Sequence, residues 1–214
     1  MLSLLSDPKG LWYLNRASGL VLMVVSTLAI LLGQHATRRR ERSATPRFMW
    51  LELHRNLTLV GLMLLVLHVF TSVADEYVDI SVLDAVVPFA SPYRPFWLGL
   101  GTVALDLMVV ILVTTALRHR ISYRAWRIAH WTAYLVWPVS VVHGLGTGTD
   151  SLRGAGLSLT IGCLAAVLAS TAPRIAAAVR ERLAVSSPGP DARRPAAPAP
   201  ARTSVLPRGR RWPA

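Results

Sequence analysis

Cysteine and lysine are almost missing from this 214-residue chain. Cys163 is the single cysteine, so no internal disulfide can form, and neither a CxxC motif nor a thiolate zinc site is available. Lys9 is the single lysine, which leaves 22 of the 23 basic residues as arginine. Acidic residues are scarce too: 11 of them leave a net charge of +12. No GxGxxG sits in a strand context and there is no P-loop, so no flavin or nicotinamide site is expected in this chain. The opening MLSLLSDPKG has no basic n-region and no small-residue cleavage site, so no cleaved signal peptide is expected.

Apolar residues are abundant. They make up 53% of the chain, against about 45–50% in soluble domains. Mean hydropathy is +0.44, and the apolar residues are gathered into long runs. A helix needs about 20 residues to cross about 30 Å of hydrocarbon. Five runs meet that length: Leu11 to Gly33, Trp50 to Ala74, Phe96 to Leu117, Trp126 to Leu145, and the shorter Ala155 to Ala172. The expected fold is an all-α, polytopic membrane helix bundle of five transmembrane helices, with the lipid bilayer as its first partner.

A strong basic excess often marks a nucleic-acid binder. Here the arginines sit in short loops beside apolar runs and in the tail, so membrane topology explains them and no nucleic-acid partner is expected. TRRRERSATPR carries five arginines against Glu41, and RHRISYRAWR carries four and no acid. Both loops should be cytoplasmic. DEYVDISVLDAVVPFASPYRP carries four acids and only Arg94, so it should face outside. These charges set the N-terminus out and the C-terminus in. The expected organisation is a short outer N-terminus (1–10), the bundle (11–172), a juxtamembrane helix (173–185) and a cytoplasmic tail (186–214). That tail, rich in Pro, Ala and Arg, is expected to be disordered because it has too few large apolar residues to fold alone.

Six histidines are present. His35 and His119 flank the loop arginines and read as loop residues. His54 and His68 lie in the second run, His130 and His143 in the fourth. An ionisable side chain within a span is costly and usually faces the bundle interior. One histidine there is readily explained by a hydrogen bond to a neighbouring helix. Two pairs need more. The second and fourth runs cross in the same direction, so His54 and His130 share the cytoplasmic side, and His68 and His143 share the outer side. Each pair spans about 20 Å along its helix. Two neutral imidazoles from facing helices are what a six-coordinate haem b needs, and helix bundles often build such sites. A bare soft metal fits less well, since no thiolate or carboxylate shares those depths. A proton relay stays open, with Asp106 as its only deep carboxylate.

Helical phase is uneven. Fourteen residues bring His68 to within about 40° of His54, whereas thirteen place His143 roughly 140° from His130. Pro138, between the latter two, removes a backbone bond and is where rewinding is expected. Gly61, midway between His54 and His68, would let a flat macrocycle pass, or is a packing glycine. Arg16, Arg55 and Arg127 lie near the histidines and suit carboxylate partners. Arg55 and Arg127 serve equally as topology anchors, whereas Arg16 is on the wrong side for that. Trp126, Trp131, Tyr134 and Trp137 suit either cofactor faces or an interfacial belt.

The spacing H-x13-H in one run and H-x12-H two runs later resembles the ferric reductase-like transmembrane domain. Ferric reductases, NADPH oxidases and the haem subunit of the bacterial methionine sulfoxide reductase system share it. LDAVVPFASPYRPFWLGLGTVALDL and YRAWRIAHWTAYLVWPVSVVHGLGTGTD are similar to the small actinobacterial members. The resemblance covers roughly Leu11 to Ala172. It implies two haem b groups, ligated by His54 with His130 and by His68 with His143, in a multi-pass protein of the plasma membrane. It also implies transmembrane electron transfer as part of an oxidoreductase. Two departures stand out: the family's cytosolic flavin and nicotinamide domains are not expected here, and five spans stand in place of six. A separate flavoprotein or FMN-binding protein is therefore the expected electron-transfer partner. Two other readings stay open: a haem-free membrane anchor or assembly subunit for a redox partner, and a small transporter or proton channel.

Overall fold

The computed structural model describes residues 9–37, 46–76, 78–148 and 154–186. Nearly all of the expected outer N-terminus and of the tail lies outside them. The described residues form helices and connecting turns, with no strand among them. The helices are α1 (Gly10–Ala36), α2 (Arg47–Ala74), α3 (Val82–Val86), α4 (Pro95–Ala116), α5 (Tyr123–Trp131), α6 (Ala133–Thr147) and α7 (Gly154–Ser186). The chain divides into two compact units at the Pro173–Arg174 bond. Of the second unit, only the helical residues 174–186 are described.

Four helices are long and apolar enough to cross a membrane: α1, α2, α4 and the Gly154–Ala184 part of α7. The chain is a multi-pass membrane protein, and its surface shows why. Leu59, Val60, Met63, Val66 and Phe70 of α2 are each more than half exposed. Such residues are stable outside only where the solvent is lipid.

The helix starts follow local chemistry. Pro46, extended, precedes α2. Ser81 and Asp84 form a reciprocal capping box on α3, the arrangement that satisfies two free backbone donors. Thr102 then donates to the Asp84 carbonyl at 2.8 Å and pins α3 to α4. Pro95 occupies the first turn of α4, where its missing N–H costs nothing. The Ser122 hydroxyl accepts from the Ala125 amide and caps α5.

α1 organises the first unit. It pairs with α2 in antiparallel register: Asn15 meets Ser72, Gly19 meets His68, Val25 meets Gly61 and Gly33 meets His54. It also runs antiparallel to α6, where Trp137 Nε1 donates to Thr27 Oγ1 at 2.9 Å and Arg16 reaches the Thr147 carbonyl. α2 and α6 therefore run in the same direction. Two small apolar cores hold the bundle. One joins Ala104 and Ile111 of α4 to Val136 of α6. The other joins Trp137 and Val141 of α6 to Cys163 of α7, with Met23, Val24 and Ile30 of α1 around them. Gln34 donates to Thr171 Oγ1 at 2.9 Å and ties α7 to α1.

One expectation is corrected. The run from Trp126 to Leu145 is not one helix. It breaks at Thr132 into α5 and α6. Neither piece meets the length of a span alone, because the fifteen residues of α6 cover about 22 Å. Pro138 is not the break; it lies inside α6. At the break the Thr132 hydroxyl and amide both bond the Ala129 carbonyl, closing a tight turn.

Candidate functional site

Each of the four span histidines sits at a helix contact. On α2, His54 and His68 both turn towards α1, as their phase predicts. His54 donates from Nδ1 to the Ala29 carbonyl at 2.8 Å. His68 does the same to the Asn15 carbonyl at 3.1 Å. The Asn15 amide in turn donates to the His68 carbonyl and to the Ser72 hydroxyl, and fixes this turn of α2. On α6, His143 donates from Nδ1 to the Trp97 carbonyl of α4 at 2.8 Å. A carbonyl acceptor requires the proton on Nδ1. In the neutral form of all three rings, Nε2 therefore keeps its lone pair.

His130, at the end of α5, differs. Its ring stacks on Trp126 with centroids 5.1 Å apart. Its Nδ1 is buried and has no hydrogen-bond partner.

One expected pair is in ring contact. His54 and His130 stand with centroids 6.3 Å apart and planes at 77°. His68 and His143 are near enough to interact electrostatically. Thr132, with φ −62° and ψ −17°, separates His130 on α5 from His143 on α6. Among the described residues no group of three or more His, Cys, Asp or Glu side chains comes together.

Three glycines make room for these rings. A Cβ on Gly33 would stand 3.3 Å from His54, one on Gly19 3.0 Å from His68, and one on Gly101 2.5 Å from His143. Sequence reasoning missed them, and it missed Asn15. A signal was there: Gly19 and Gly33 are fourteen residues apart, the spacing of His54 and His68 across the contact. Gly61, singled out instead, packs against Val25 and Leu22. It is a helix-packing glycine.

The arginines divide. Arg16 lies over Trp12, with its guanidinium carbon 4.4 Å from the ring centroid, and reaches the Thr147 carbonyl. Thr147 in turn donates to the His143 carbonyl, so Arg16 stands at the end of the bundle that holds His68 and His143. Arg127 stacks over Trp131 at 5.3 Å. Arg55 is exposed, and no contact ties it to His54 or His130 among the described residues. His35, expected in a loop, is in the last turn of α1 against Trp50. Asp106 is exposed on α4.

A family model described as the ferric reductase like transmembrane component matches residues 17–141. The chain belongs to this family. The match covers His54, His68 and His130, and it stops two residues short of His143. No curated protein and no solved structure matches the chain. Membership in the ferric reductase-like family suggests transmembrane electron transfer, and the four apolar helices supply the membrane setting.

Proposed function

We propose that this ferric reductase-like chain is the di-haem b membrane subunit of an electron-transfer system. His54 and His130 would hold the inner haem and His68 and His143 the outer one. The observation that carries the reading is the donor set: paired imidazoles, three of them already fixed through Nδ1 on a backbone carbonyl. Metal-ligating histidines almost always donate their second N–H in this way, which sets ring orientation and raises ligand basicity. Spacing agrees. Two imidazoles that share one metal, at metal–nitrogen distances of about 2 Å, have centroids roughly 6 Å apart. The inner pair stands at 6.3 Å.

Haem, when bound, supplies a one-electron iron couple whose potential is set by its ligands and their surroundings. The chain's own residues do the rest. The histidines orient their lone pairs. Trp137, Val141 and the other core residues exclude water and keep the local dielectric low. Arg16 at the outer pair, with Arg55 and Arg127 at the inner pair, would meet the carboxylates that haem carries. α5 and α6 together would make a fifth crossing, with the N-terminus outside and the C-terminus in the cytoplasm of a cell bounded by this plasma membrane. Electrons would come from or go to a separate flavoprotein or FMN-binding partner.

The test uses the full chain in sealed vesicles loaded with ferricyanide. External dithionite, which does not cross the lipid, is expected to bleach the trapped ferricyanide only when the protein is present. Bleaching no faster than in empty vesicles, from colourless protein, would point instead to an anchor or assembly subunit.

A further inference from the structure

Asp106 has no part in the histidine sites. It lies eleven residues after Pro95 and ten before Ala116, the two ends of α4. At about 1.5 Å per residue, those ends are about 17 Å and about 15 Å away. The hydrocarbon of a bilayer is about 30 Å thick, so Asp106 stands near the middle of a crossing. Its side chain is exposed. Val109, Val110 and Val113 share its face of α4 and are each roughly half exposed. The core residues Ala104 and Ile111 lie about 160° and about 140° round the helix from it. Asp106 therefore faces the lipid, and among the described residues no hydrogen bond or ion pair reaches its carboxyl.

An ionisable side chain inside a membrane is costly and almost always turns inwards, towards a partner or a water-filled cavity. Long basic side chains escape by reaching the interface, but an aspartate at mid-span is too short to do so. Lipid tails offer it no donor, and its neighbours on α4 are valines. The residue that pairs with it must therefore come from outside this chain. A carboxylate accepts most strongly from a cationic donor, so that residue is a lysine or an arginine. A second copy of the chain does not supply one. In the first unit, Lys9 and the described arginines stand within about two turns of a helix end. Arg174 and the basic residues after it follow the apolar run of α7 in sequence. The arginine-rich segment 38–45 joins the ends of α1 and α2 in sequence, not the middle of a span. The histidines at other depths are turned to helix contacts within the bundle. Two copies packed through α4 would set one aspartate against another. We propose that the face of Asp106, Val109, Val110 and Val113 docks the membrane-spanning helix of a second protein, one that carries a lysine or arginine at mid-bilayer. The valines pack against its apolar side chains, and Asp106 sets its depth. The proposal rests on the membrane setting of α4 and on no haem.

The test is photolabelling of the full chain in liposomes of uncharged lipid. The probe is a polyleucine helix of about 21 residues, with one central lysine and a photoreactive leucine beside it. Sister probes carry leucine or glutamate in place of the lysine, and haem content is measured on the same samples. The lysine probe is expected to label α4 around Asp106, and unlabelled lysine peptide should displace it. Asp106→Leu suits the lipid and should leave the fold intact. It should raise the probe concentration needed for half-maximal labelling about tenfold. Asp106→Lys should reverse the preference, taking the glutamate probe and refusing the lysine one. Equal labelling by the leucine and lysine probes overturns the proposal, as does unchanged labelling in Asp106→Leu. Cross-linking between two copies of the chain that Asp106→Leu abolishes, with no preference for the lysine probe, gives the face to a second copy and overturns it too. Normal haem without lysine preference removes this proposal alone, whereas missing haem with lysine preference removes only the di-haem reading.

Discussion

Replacing His143 with alanine is expected to lower the haem content from about two per chain to about one, and the haem lost should be the outer one. His143 offers its lone pair from a ring fixed on the Trp97 carbonyl, and the described residues contain no third histidine to substitute for it at that depth. A single remaining imidazole, His68, is a poor hold on haem in competition with the lipid. His54→Ala should remove the inner haem by the same logic and leave the outer one. His119→Ala, in an exposed turn, should change neither. The pyridine haemochrome assay on purified variants measures all three. Two haems retained in His143→Ala, with an unchanged spectrum, would sink the outer pair.

The second large effect is expected where no ligand is touched. Alanine at Gly101 would set a methyl 2.5 Å from His143 Cε1, a distance real contacts do not reach. The ring must turn, and its bond to the Trp97 carbonyl goes with it. Changes to the groups that orient a metal-binding histidine typically weaken the site about 10–100-fold. Gly101→Ala should therefore lose most of its outer haem and keep its inner one. Gly144→Ala is the control. It lies beside His143, yet its added methyl meets nothing within 4 Å, so haem content should hold. Equal haem loss in both variants would mean that general helix damage, not the ring, is responsible.

Much of this was legible in the sequence. The apolar runs marked the long helices because lipid demands continuous apolar surface. The histidine spacings marked which rings would share a depth, because two helices crossing in one direction keep their order. The fourth run misled, since hydropathy is blind to a break between two apolar pieces. Thr132 closes its turn with a hydroxyl bond to Ala129, a local choice that no hydropathy window registers. Pro138 drew attention as the visible breaker, yet it lies inside a helix. The backbone carbonyls of Ala29, Asn15 and Trp97 were beyond reach for another reason: every residue carries one, so only the packing of α1 and α4 against the histidines selects those three. Gly19 and Gly33 were within reach, had their spacing been set beside that of His54 and His68.

On the proposed reading, the four histidines act as two axial pairs. Electron paramagnetic resonance of the oxidised full-length protein at cryogenic temperature, with haem quantified on the same sample, tests it most directly. Two low-spin ferric centres per chain, each with bis-imidazole character, are the predicted result. Colourless protein, or haem that is high-spin with one axial nitrogen, would contradict it.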